Sequence, residues 1–312
     1  MSAQILAVTF GDPCSIGPEI AHQAITDFLR ESPEVGLHVF GSPSTWESEA
    51  FSFLRKHPKI RFHPLGSTQA WELGRPSAAS GFMALESLQA AAGHCLEKKA
   101  DALVTGPLDK SICAKVDPQF VGQTEFLKDL TKSDDVLMML KNPDLRVALV
   151  TTHLAIKDIS AQITAEKIIR KAKIFANYLN KQKDPRPLAI LALNPHASDH
   201  GLFGNEEASV ITPAIEEMKK LGMNVSGPIP ADTAFCFSKE YSGFLCMYHD
   251  QGLIPLKMSG FESAINVSLG LPFLRTSVDH GTAFDIAGKG RASAQSFLHA
   301  LREARDCYSL NS

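Results

Sequence analysis

The chain has 312 residues, 44% of them hydrophobic and 21% charged, with a formal net charge of −3. This is the balance of a globular protein with enough apolar mass for a core, as one large domain or two moderate ones. No basic cluster points to nucleic acid or an anionic membrane surface, and no apolar run approaches the ~20 residues of a membrane helix.

Ile5–Phe10 reads as a first strand. The segment Met1–Phe10 lacks a positively charged start, so it is not read as a signal peptide. The loop Gly11-Asp12-Pro13-Cys14-Ser15-Ile16-Gly17 leads into a helix over Gly17–Arg30. Glycine-rich strand-to-helix turns of this kind cradle phosphates through backbone N–H groups, although no G-x-G-x-x-G fingerprint occurs anywhere. His38–Gly41 is a short strand, and Ser77–Lys99 a long helix with Phe82, Leu85, Leu88, Ala92 and Leu96 at helical spacing. Ala102–Thr105 is a strand, with a helix expected to start at Pro107 and Lys110 available for an anion or a carboxylate.

Val136–Leu140 and Val147–Thr151 are strands around an Asn142-Pro143-Asp144 turn. Thr164–Leu179 is a helix, Leu188–Leu193 a strand, and Asn205–Leu221 a helix. Gly243–Tyr248 and Ala264–Leu269 are strands, and Ala292–Arg305 closes the chain as a helix. Alternating elements predict an α/β fold with a mainly parallel sheet. The cysteines at 14, 95, 113, 236, 246 and 307 form no C-x-x-C pair. That fits a reducing cytoplasm and excludes a zinc ribbon.

Three histidines follow strand-like runs and each opens a polar turn: His153, His196 and His249. Ligands of open α/β sheets bind beyond the carboxyl ends of strands, so three imidazoles there suit Zn²⁺, Co²⁺, Ni²⁺ or a related divalent ion. Such an ion can polarise a hydroxyl or carbonyl, or generate hydroxide. His22, His94 and His299 sit in helical patterns and read as structural, and His200 is the nearest competitor. Near the C-terminus, Arg275 is a bidentate anion anchor and Lys257 adds positive charge. Gly281 allows close backbone approach, and Thr282 can cap a following helix. No G-x-S-x-G elbow and no P-loop appear.

Motifs along nearly the whole chain resemble the PdxA family of 4-hydroxythreonine-4-phosphate dehydrogenases. They include Gly11-Asp-Pro-Cys-Ser-Ile-Gly-Pro-Glu19, Thr105-Gly-Pro-Leu-Asp-Lys110, Thr151-Thr-His153, Leu193-Asn-Pro-His-Ala197, Tyr248-His-Asp-Gln-Gly252 and Leu269-Gly-Leu-Pro-Phe-Leu-Arg275. The resemblance implies an isocitrate/isopropylmalate-dehydrogenase-like fold with two α/β lobes around a central cleft. The expected lobes are roughly 1–120 plus 265–312, and 121–264. It implies a cytoplasmic homodimer, with active sites near the subunit interface, that acts on a small phosphorylated substrate without nucleic acid or membrane. His153, His196 and His249 fall on the metal positions, for one Zn, Mg or Co ion. Gln123, Thr124, Lys257, Asn266 and Arg275 fall on substrate positions, and Asp250 and Lys257 join the three histidines in the catalytic set. Gly11, Asp12, Gly17, His280, Gly281, Thr282 and Asp285 are assigned to the nucleotide, NAD or alternatively NADP. The implied reaction oxidises a secondary alcohol β to a carboxylate and then decarboxylates the product. One departure stands out: Gln123 replaces the histidine of the family's Gly-His-Thr-Glu, and a glutamine amide can donate a hydrogen bond but carries no charge.

Overall fold

A computed structural model describes residues 4–66 and 70–309. The first three residues of the predicted opening segment therefore lie outside the described residues. The chain divides into two compact units, Met1–Asp135 with Ile265–Ser312, and Val136–Ala264.

In the first unit the strands are β1 (Ile5–Thr9), β2 (Gly36–Gly41), β3 (Ile60–Pro64), β4 (Ala102–Thr105), β10 (Ile265–Leu269) and β11 (Leu274–Val278). They lie in the order β3-β2-β1-β4-β11-β10. All neighbours are parallel except β10 and β11. Leu6, Ala7, Val8, Leu103 and Val104 are wholly buried, as expected for parallel strands covered on both faces. The Ala78–Leu96 helix covers one face and starts with a reciprocal Ser77–Ser80 capping box. Its buried stripe runs through Ala84, Leu88, Ala91 and Cys95, whereas Phe82 and Leu96, expected on that stripe, are exposed at its margins.

In the second unit the strands are β5 (Leu137–Lys141), β6 (Arg146–Leu149), β7 (Leu188–Leu191), β8 (Val225–Ile229) and β9 (Gly243–Cys246), in the order β5-β6-β9-β7-β8. Only β5 and β6 are antiparallel. The helix Ala165–Lys181 is capped by the Thr164 hydroxyl, which accepts from the Lys167 N–H.

Three strands escape hydropathy for different reasons. β3 is a half-exposed edge that ends on Pro64, and β8 contains Gly227 and Pro228, which edge strands tolerate. β11 reads Leu-Arg-Thr-Ser-Val, yet Arg275, Thr276 and Ser277 are all buried. The helix expected at Pro107 instead starts at Lys110, where the Asp109 carboxylate accepts from the Ser111 and Ile112 N–H groups.

Candidate active site

In the second unit, His153 and His249 come together, with ring centroids 5.7 Å apart. They line a concavity of about 200 Å³ with Thr152, Leu154, Tyr248 and Asp250. His249 does not open a polar turn, as its sequence context suggested. It is the first residue of a helix over His249–Gly260, with Asp250 in the first turn. Its Nδ1 lies 2.7 Å from Asp250 Oδ1. His196 lies 3.8 Å through Nδ1 from Asp232 Oδ2. The Asp250 carboxylate within hydrogen-bond distance of Nδ1 orients the His249 ring, whereas Asp232 is only an ion-pair neighbour of His196; imidazole donors of this kind fit a divalent ion chemically. His196 is not gathered with the other two into one ready site: among the described residues, no set that includes it has three ligand atoms all within 4.8 Å of one another.

The backbone around His196 is unusual. Residues His196 to His200 all have positive φ, between 42° and 72°. Five consecutive non-glycine residues in that region carry strain that the surroundings must hold in place. The clamp is Glu207, a buried carboxylate that accepts from the Leu193 and Asn194 N–H groups at 2.8 Å each and from Asn194 Nδ2 at 2.9 Å. Buried Gln251 is a second clamp. Its Oε1 accepts from the Met247 N–H and its Nε2 donates to the Ala192 carbonyl, both at 2.7 Å. It thereby ties the end of β9 to the end of β7. Sequence reading missed both residues, and the only hint was Gln251 beside the His249-Asp250 motif.

In the first unit, Arg275 is 3% exposed. Among the described residues its guanidinium donates only to hydroxyls: Thr105 Oγ1 at 3.1 and 2.7 Å, and Ser268 Oγ at 3.2 Å. Burial pushes it down to about 9, opposed by the Glu125 carboxylate, so it still carries charge at neutral pH. A buried cation without a bonded carboxylate is costly unless an anion joins it. Thr124 Oγ1 meets the same Ser268 Oγ at 3.3 Å. Thr124 lies in the first turn of the helix Gln123–Thr131, and a helix N-terminus attracts anions. Gln123 Nε2 donates to the Gly106 carbonyl at 3.1 Å. The side-chain oxygens of Gln123 and Asn266 are buried without a protein partner. A phosphate at Arg275 with neighbouring polar substituents therefore matches what these groups lack. Lys257 lies in the second unit, its Nζ 5.5 Å from the Phe261 ring centroid.

The two loops assigned to the nucleotide lie side by side in the first unit. The Ile16 N–H donates to the Thr282 carbonyl at 3.1 Å, and the Gly288 N–H to Glu19 Oε2 at 2.9 Å. Pro13, Ser15, Glu19, Trp71, Leu73 and Gly288 line a concavity of about 350 Å³ beside them. Among the described residues Trp71 Nε1, Glu19 Oε1 and His280 Nε2 are buried without partners, so groups that a nucleotide could satisfy are present. Gly11 and Gly17 are required by the chain itself, because a Cβ would sit 2.2 Å from the Pro107 oxygen and 1.9 Å from the Phe10 oxygen, respectively. Buried Asp12 accepts from the Cys14 N–H and from Ser80 Oγ. The helix expected after Thr282 is absent; a three-residue turn at Phe284–Ile286 takes its place. A phosphate there would have to rely on loop amides. Asp285 and Gly281 are exposed.

Residues 19–304 match the family described as pyridoxal phosphate biosynthetic protein PdxA. The 4-hydroxythreonine-4-phosphate dehydrogenase of Trichlorobacter lovleyi is 39% identical over 96% of each chain. The crystal structure of 4-hydroxythreonine-4-phosphate dehydrogenase from Klebsiella pneumoniae superposes with a TM-score of 0.84 at 32% identity, over 98% of this chain and 99% of that one. A β-decarboxylating dehydrogenase from Thermococcus kodakarensis shares the fold at a TM-score of 0.58 and 14% identity, over 98% of this chain and 84% of that one. A profile that covers most of the chain, a full-length relative and a full-length structural match agree: the chain belongs to the PdxA family.

Proposed function

We propose that the chain catalyses the NAD-dependent, divalent-metal-dependent oxidation of 4-phosphooxy-L-threonine at its secondary hydroxyl. Decarboxylation then gives 3-amino-2-oxopropyl phosphate for pyridoxal 5′-phosphate biosynthesis. The observation that carries this reading is Arg275, a buried cation that donates to the Thr105 and Ser268 hydroxyls, in a chain that matches the PdxA family over residues 19–304.

Arg275, Thr124, Gln123 and Asn266 bind the substrate's phosphate end, with Lys257 as a further cation. A divalent ion on His153, His196 and His249 would supply Lewis acidity to the reacting hydroxyl and then to the ketone. Asp250, 2.7 Å from Nδ1, orients the ring of His249, and Asp232 lies 3.8 Å from Nδ1 of His196. Gly11, Asp12 and Gly17 shape the first nucleotide loop, while His280, Gly281, Thr282 and Asp285 form the second. NADP is the alternative dinucleotide. The six scattered cysteines, with no C-x-x-C pair among them, support a reducing, cytoplasmic setting. Among the described residues, no helix is long and apolar enough to cross a membrane. The homodimer is supported by large apolar side chains left exposed in the second unit, including Ile156, Leu202, Ile254 and Met258.

Gln123 favours a second reading, a paralogue acting on another phosphorylated hydroxy acid such as 4-phosphoerythronate. NADH formation from purified, metal-loaded protein should be followed with the two acids in parallel. Preference for 4-phosphooxy-L-threonine supports the first reading, turnover of the other acid alone moves the protein to the second, and turnover of neither overturns both.

A further inference from the structure

A second histidine cluster stands apart from the proposed catalytic set, within the first unit. His38 on β2, His63 on β3 and His94 in the last turn of the Ala78–Leu96 helix place one ring nitrogen each within 4.8 Å of the other two. Their ring centroids form a nearly equilateral triangle with sides of 4.9, 5.0 and 5.0 Å. We propose that these three imidazoles form a second metal site, one that takes a borderline divalent transition ion, with Zn²⁺ as its probe, and staples the outer strands to the helix.

The geometry is built rather than incidental. His63 stacks on Phe40 at 4.4 Å with an interplanar angle of 9°, which fixes one ring. His38 Nδ1 and His94 Nε2 are 2.8 Å apart, so one hydrogen already bridges two would-be ligand atoms. Zinc ligated at about 2.0–2.1 Å needs nitrogens a little over 3 Å apart, within reach of small ring rotations. His63 Nε2 is buried without a partner, a costly state for a ring nitrogen that an ion would relieve. All three rings are half-buried, so they are not sealed from solvent.

Burial lowers the proton affinity of each ring, most at His63. Arg61 and Lys99 add opposing positive charge, offset by Glu97, which is paired with Lys99 at 2.6 Å. Imidazole donors without thiolates suit zinc, copper or nickel and disfavour magnesium.

The test uses full-length protein carrying His153→Ala and His249→Ala, so that failure of the proposed catalytic site cannot be confused with failure of this one. After chelator stripping and reloading, this protein should retain one zinc per chain and melt a few degrees higher with zinc than without. Adding His94→Gln should weaken zinc binding by about two orders of magnitude and remove the thermal shift. Zinc uptake that ignores His94→Gln, or no uptake before it, overturns the proposal. If the added substitution prevents folding, as judged by circular dichroism, Co²⁺ loaded into the protein without it decides: paramagnetically shifted resonances from three imidazoles support the site, and their absence overturns it.

Discussion

The two histidine groups are opposites. His153, His196 and His249 are conspicuous in sequence because each follows an apolar run, yet in space they are exposed or half-exposed and only His153 and His249 are neighbours. His38, His63 and His94 have no pattern in sequence, yet their rings pack together, His63 stacks on Phe40, and among the described residues its buried Nε2 has no partner. The first group is held through its backbone, by Glu207 and Gln251 at strand ends; the second is held by ring packing. A site meant to admit substrate needs the first arrangement, because open coordination positions require exposure. A structural ion is better served by the second.

The largest effect expected from breaking the first group is at His196. His196→Asn retains a residue tolerant of positive φ but removes the imidazole. Metal-dependent turnover should fall by about 10³-fold or more, given the several kcal/mol a Lewis acid supplies, with the melting temperature little changed. Chelator treatment of the unsubstituted protein should give the same loss, reversible by metal. Activity that survives either treatment removes the metal from the reaction.

Arg275→Met tests the anion half. It replaces a buried guanidinium by an apolar chain of similar length, so stability should hold or rise while kcat/KM for the phosphorylated acid drops by about 10²–10³-fold, the loss of a buried charge-assisted pair. An unchanged KM would show that the phosphate is held elsewhere.

Glu207→Gln probes the backbone clamp. The amide that replaces one carboxylate oxygen faces N–H donors, so a destabilisation of about 1–3 kcal/mol is expected from unsatisfied groups. Turnover should fall further than that loss of fold explains, by about 10–100-fold at saturating substrate, and extra metal should restore part of it. A variant with reduced stability but full activity would show that the left-handed turn serves folding alone.

Legibility followed the physics of each element. Buried parallel strands such as β1 and β4 declare themselves as apolar runs, and the α/β alternation follows from them. β11 was hidden, like β3 and β8, because Arg, Thr and Ser fill three of its four buried positions, so the strand that carries Arg275 gives no apolar run. The three sequence-flagged histidines were legible through strand ends, but Glu207 lies eleven residues beyond His196 in a segment read as plain helix. It opens instead as a π-turn over Glu207–Ile211. The His38 cluster joins positions 25 and 31 residues apart, a closeness that only the β2–β3 register and the helix above it create.

The smallest expected effect is at Gln123, and it bears on which acid the site was shaped for. The side-chain amide donates to the Gly106 carbonyl, while its oxygen is buried and unmatched. That oxygen can only accept, so in this orientation it suits a hydroxyl or ammonium hydrogen better than a phosphate oxygen. Gln123→His gives up the unmatched acceptor and can place an N–H or a partial positive charge near Arg275. If the phosphate lies there, KM for 4-phosphooxy-L-threonine should fall a few-fold, roughly 1 kcal/mol of one added hydrogen bond, with kcat nearly constant. If KM rises instead, the glutamine oxygen was receiving a hydrogen from the substrate. The same variant assayed with 4-phosphoerythronate would then tell which substrate supplied it.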